Sequence, residues 1–136
     1  MILAAALGSG CRSASKPAPK PVATVVWRPA GSWSGHGNTQ TESFLIESVQ
    51  WRIKWETSNE KPPGAGRFQV IVDSAVSGRQ IAVPVDHQGV GSDIAYINED
   101  PHLFYLVIQS SHVDWSVKVE EAVVRPAASP AGGTQR

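Results

Sequence analysis

An antiparallel β-sandwich of about seven or eight strands is the fold this sequence predicts, and three observations predict it. Apolar and polar residues alternate with a period of two over most of residues 23–124. Clusters of Gly, Pro, Asn, Asp and Ser interrupt that alternation at short intervals. No window sets its apolar residues at helical spacing. Strands patterned in this way have one apolar face each, and two sheets must cover each other's apolar faces. The pattern leaves a jelly-roll-like and an immunoglobulin-like strand order equally open.

The elements follow in chain order. Residues 24–28 and 42–46 read as weak strands, and the glycine-broken run 31–38 between them as a bent segment or a loop. Val49-Gln50-Trp51-Arg52-Ile53-Lys54-Trp55-Glu56 is the clearest strand, with Val49, Trp51, Ile53 and Trp55 expected inward and the polar residues expected in water. The turn-forming run Asn59-Glu60-Lys61-Pro62-Pro63-Gly64 ends it. Residues 67–73 follow, with Phe68, Val70 and Val72 inward. After Ser77-Gly78, residues 80–86 place Ile81, Val83 and Val85 inward. Pro84 lacks a ladder donor, which puts this strand at a sheet edge. Beyond the glycine turn at 88–93 lies a weak strand at 94–97, and the turn 98–101 leads into Leu103-Phe104-Tyr105-Leu106-Val107-Ile108. That run is apolar on both faces and suits a central strand. The last strand spans 113–120, with Val113, Trp115, Val117 and Val119 inward.

About a hundred patterned residues are enough for one domain with its own core and too few for two. Residues 125–136, rich in Ala, Pro, Gly and Ser, have little to bury and read as a disordered tail. At the other end, residues 11–22 alternate proline with Ala, Ser and Lys, which favours an extended, semi-rigid tether.

Charge excludes one class of partner. Twelve basic residues balance twelve acidic ones, and the basic residues are scattered. Phosphate neutralisation requires clustered Lys and Arg, so nucleic acid is not an expected partner.

The single cysteine, Cys11, follows the short apolar run of residues 1–10, which ends Leu7-Gly8-Ser9-Gly10. This layout resembles the processing site of bacterial lipoproteins, in which the cysteine becomes the lipid-bearing first residue. Ser9 and Gly10 match the small residues of that motif, whereas Gly8 stands where Leu is usual and Leu7 comes one place early. No Lys or Arg precedes the apolar run, so a charged start would lie upstream of Met1. The alternative is a plain N-terminal segment that happens to hold a cysteine. The resemblance implies lipid attachment at Cys11, a membrane as partner, and a place in the cell envelope. Arg12 is not the aspartate that favours inner-membrane retention, so an outer-membrane address is expected if the cell is Gram-negative. The strand patterns from Trp51 to Glu120 are likewise similar to those of small exported bacterial β-sandwich domains, a likeness that brings no site residues with it.

Catalytic chemistry finds little support. Gly31-Ser32-Trp33-Ser34-Gly35 sets tryptophan where a nucleophile elbow needs serine. His36, His87, His102 and His112 lack metal-ligand spacing. Asp86, Asp93, Glu99 and Asp100 lie in turns without the order of a calcium loop. Gly89-Val90-Gly91 lacks the third glycine of a dinucleotide site. No catalytic residue, metal or cofactor is therefore expected, and a hydrolase or metal-dependent enzyme ranks last. Trp51, Trp55 and Trp115 are in phase with core residues, which leaves Trp27 and Trp33 as candidate ligand-binding aromatics. The expected function is a non-catalytic, lipid-anchored binding or interaction module that contacts an envelope protein or polysaccharide. The alternative is a carbohydrate-binding module using Trp27 or Trp33.

Overall fold

The computed structural model describes residues 23–126; the apolar run 1–10, Cys11, the tether 11–22 and residues 127–136 lie outside the described residues. Within them run β1 (Thr24–His36), β2 (Thr39–Gln40), β3 (Phe44–Ile46), β4 (Gln50–Ser58), β5 (Arg67–Ser74), β6 (Gln80–Gln88), β7 (Gly91–Asn98), β8 (His102–Ser111) and β9 (Asp114–Arg125). One sheet has the order β1-β9-β4-β7, and the second has the order β2-β8-β5-β6 with β3 also on β8. All pairings are antiparallel. The chain is thus a β-sandwich, as the alternation predicts.

Its strand order has a simple logic. The pairs β5–β6, β4–β7, β2 and β3 with β8, and β1–β9 nest inside one another like a single long hairpin. That hairpin is rolled so that β4 lies against β9 and β5 against β8. This is the jelly-roll order, in which the first strand lies beside the last. The count exceeds seven or eight because one strand is interrupted. Residues 41–43 separate β2 from β3; the Thr41 hydroxyl accepts the Leu106 N–H at 3.0 Å while the Thr41 N–H donates to the Leu106 carbonyl at 2.9 Å.

The core is built from the inward positions of β4, β5, β8 and β9. Trp51, Ile53 and Trp55 meet Phe68, Val70 and Val72, then Phe104, Leu106 and Ile108, with Trp115, Val117 and Val119 beside β4. Phe44, Ile46, Val85, Ile97 and Val113 complete it. Aromatic rings thread through the centre, with Trp51 lying 5.6 Å from Phe44 and 5.1 Å from Phe104. As expected, β6 is an edge strand and β8 lies inside its sheet.

Four expectations need correction. Val49 is not inward: it precedes β4 in a turn, is 66% exposed, and its carbonyl accepts the Glu99 N–H. Val83 is 40% exposed, because β6 carries extra residues opposite β5 on both sides of the Val72–Ala82 pair. Each extra residue reverses the in–out alternation locally. Residues 31–38 are neither a loop nor a separate segment for most of their length, since β1 runs on to His36. Finally β9 continues to Arg125, past the expected end of the last strand and of the domain.

Where β9 passes its expected end it carries two acids that the sandwich covers, Glu120 at that end and Glu121 just beyond it. Glu120 points outward beneath Arg52, whose Nε donates to it at 2.8 Å. Glu121 points inward and is 3% exposed. Its carboxylate accepts the Glu47 N–H at 2.9 Å, the Ser48 hydroxyl at 3.1 Å and the Arg28 guanidinium at 3.0 Å. One buried acid thereby ties β1, β9 and the β3–β4 turn together.

Close approach of the backbone matters most at Gly66, just before β5. Its N–H donates to the Glu60 carboxylate at 2.9 Å and its carbonyl accepts the Gly89 N–H at 2.9 Å. A Cβ there would stand 2.5 Å from Val113 Cγ1 and 2.7 Å from Glu60 Oε2. Gly66→Ala should cost about 1–3 kcal/mol by overpacking, read as a lower urea midpoint at unchanged slope.

Candidate functional site

The two candidate tryptophans are six residues apart, and a regular strand would place them on one face. They lie on opposite faces instead. A register shift between Pro29 and Gly31 pairs Trp27 with Ala122 but Trp33 with Val117. Val117 belongs to the core and Ala122 to the outer face of the first sheet.

Trp33 is therefore part of the packing. Its ring lies 5.5 Å from Phe44, and its indole N–H donates to Glu42 Oε1 at 3.0 Å. The absence of a side chain at Gly31 makes room for it, since a Cβ at that position would overlap the indole. Trp27, half-buried, lies across the outer face of the first sheet. The Arg52 guanidinium stacks 4.0 Å from the centroid of its ring, and Tyr96 lies 5.9 Å away. Arg52 is thus held between Glu120 and Trp27, a cation–π contact over a charge-assisted hydrogen bond. Tyr96 is 53% exposed and continues this shelf toward the β7 edge.

The second sheet presents a different surface. Cross-strand register sets Gln69 opposite Gln109 on one side and opposite Asp86 on the other. Arg67 is likewise flanked by Ser111 and Gln88. These positions alternate with the buried Phe68, Val70 and Ile108, so they share the outer face. With Asn38 from the turn between β1 and β2, Arg67, Gln69, Asp86, Gln109 and Ser111 line an open cleft of about 560 Å³. Asn38 is fixed there, its side-chain oxygen accepting the Ser110 N–H at 2.9 Å, and Gly37 supplies the left-handed turn (φ 83°) that brings it in. Further along the same face come Val107, Ile71, Tyr105 and Asp73. The Asp73 carboxylate across the strand pair, then burial, raises the Tyr105 phenol above its ordinary pKa.

Of these cleft residues only Asp86 stood out in the sequence, as a turn carboxylate, and it lies within β6 instead. Their signal was the polar phase of three separate strands, and only the pairing of β5 with β6 and β8 brings them together.

The other sequence candidates remain apart. His87 packs 4.8 Å from Trp55, His102 packs 3.9 Å from Phe104, and His112 Nδ1 lies 3.1 Å from the Lys61 carbonyl. Among the described residues, no group of three or more His, Cys, Asp or Glu could hold a metal ion. Gly89-Val90 forms the turn from β6 to β7 and Gly91 opens β7, both pinned by the buried Thr57. The Thr57 hydroxyl donates to the Gly89 carbonyl at 2.8 Å and accepts the Gly91 N–H at 2.9 Å.

Comparison of the chain with family models, with curated proteins and with solved structures gives no match. A jelly roll hosts many unrelated activities, so function has to be argued from the surface itself.

Proposed function

We propose that this chain is a non-catalytic binding module of the cell envelope, held to a membrane through lipid on Cys11. The observation that carries the binding reading is the cleft on the second sheet. Its polar side chains project from paired strands, so the backbone positions that carry them are set before any ligand arrives. The anchoring half rests on the sequence layout around Cys11 and the proline-rich stretch that leads to β1. A further feature fits it: Val25, Val49 and Val124 are exposed beside a hollow of about 360 Å³ at the end of the sandwich where β1 begins. Exposed apolar groups at the tethered end suit a surface that faces a bilayer.

Intact-mass measurement of the protein purified from its native membranes tests the anchor. The expected result is a chain beginning at Cys11 with the added mass of acyl chains. An unmodified chain beginning at Met1 would remove the anchor from the reading.

A second reading, saccharide binding through the half-buried Trp27, is favoured by one observation. Trp27 lies on an outer sheet face beside the exposed Tyr96. Trp33 drops out of that reading, because its ring is packed on Phe44.

A further inference from the structure

We infer that the cleft on the outer face of the second sheet binds a neutral saccharide chain. This rests on the binding-module reading and supplies its site and ligand class.

The first argument is unspent hydrogen-bonding capacity. Among the described residues, the side chains of Arg67, Gln69, Asp86 and Gln109 have no intramolecular ion pair, and the structure gives them no side-chain hydrogen bond. Two amides offer both donors and acceptors, the carboxylate accepts, and the guanidinium donates in a fork. Adjacent sugar hydroxyls present the complementary pattern, each able to donate and accept.

The second argument is charge. Arg67 and Asp86 cancel within one cleft, and the remaining polar groups (Asn38, Gln69, Gln109, Ser111) are neutral. A phosphate or sulfate chain would need an excess of cations, which this surface lacks.

The third is the neighbouring surface. Val107 and Ile71 adjoin the Gln69–Gln109 pair, and Tyr105 follows two positions along β8. A pyranose ring has hydroxyl edges and a C–H face, so a polar cleft beside an apolar strip meets both. The distance from Gln109 to Tyr105 along β8 is about 13 Å at the rise of a strand, long enough for more than one sugar unit. At about 560 Å³ the cleft also falls within the usual range for small-ligand sites.

A peptide is a poorer occupant. Strands β5 and β8 have both neighbours in place, so their main-chain groups are already paired. Peptides that bind sheets add to an open edge instead.

The test titrates the purified full chain with soluble neutral glucans, mannans and galactans, using a heparin-type sulfated chain as the charged control. At least one neutral glycan should bind and the sulfated chain should bind more weakly. The double variant Gln69→Ala/Gln109→Ala should weaken that binding by about ten-fold or more, with an unchanged melting temperature because both residues lie on the surface. Trp27→Ala should leave it unaltered. Loss of binding in Trp27→Ala with retention in the double variant would move the site to the first sheet and overturn the inference. Tighter binding of the sulfated chain would overturn the ligand class. Capture of an envelope protein without any glycan binding would overturn the saccharide inference while leaving the binding module intact. Failure to bind either partner would overturn both.

Discussion

Trp51→Ala should cost about 3–5 kcal/mol of folding stability, the largest single-residue loss expected in this domain. Trp51 has no exposed surface and sits where the two sheets meet. Phe44 stands edge-on to it and Phe104 lies tilted against it. Its removal takes away the apolar contact area of an indole and leaves a cavity that β4 cannot collapse to fill. Both neighbours of β4, namely β7 and β9, hold it in register along its length. Domains of this size are stable by about 5–15 kcal/mol in total, so the variant should be marginal or unfolded at growth temperature. Urea denaturation followed by circular dichroism reads the loss.

A companion variant separates packing from polarity. The indole N–H of Trp51 is buried and finds no partner. A buried unsatisfied donor is itself unfavourable, so Trp51→Phe removes a cost along with part of the ring. Its destabilisation should be well below that of Trp51→Ala. Equal losses in the two variants would mean that the indole contributes through something other than contact area.

The contrast between these residues and the cleft shows what a single sequence can display. Alternation reports which side of a strand is buried, and Trp51, Ile53, Trp55, Phe68, Val70, Val72, Trp115, Val117 and Val119 all lie inward as their phase predicts. Pro84 marks an edge because a missing donor has the same meaning in any sheet. Phase fails where an extra residue enters a strand. The shift between Pro29 and Gly31 reverses the relation of Trp27 to Trp33, and the irregular pairing of β6 turns Val83 outward. Pro29 and Gly31 at one irregularity and Pro84 at the other are residues that suit bulges, but they do not say how many residues the partner strand skips, so the phase beyond them cannot be read from the chain. The cleft was hidden for a different reason. Gln69, Asp86 and Gln109 are ordinary outward residues until β5 pairs with β6 and β8. Pairing between strands distant in sequence is set by the whole sandwich, and no window of the chain contains it.

Glu121 belongs with the hidden features, and acid should expose it. It lies beyond the expected end of the last strand, yet it is among the most enclosed polar residues of the domain. Burial alone would push its carboxyl upward in pKa. The Arg28 guanidinium, the Glu47 N–H and the Ser48 hydroxyl outweigh that and hold it below the ordinary carboxylate value. Its folded value is thus lower than its unfolded one, about 4.3 for a free glutamate. The stability it contributes is fully present above that unfolded value and disappears as pH falls through the lower folded one. Glu121→Gln keeps the shape but turns an NH₂ group toward donors that need an acceptor. It should cost about 1–3 kcal/mol at neutral pH. The gap between wild type and variant should narrow progressively below about pH 4.3, because protonation removes the same charge from the wild-type side chain. Urea midpoints measured from neutral pH downward provide the comparison. A gap that stays constant into acid would show that the cost comes from the misplaced NH₂ group, and that the charge of Glu121 does not hold the β3–β4 turn to β9.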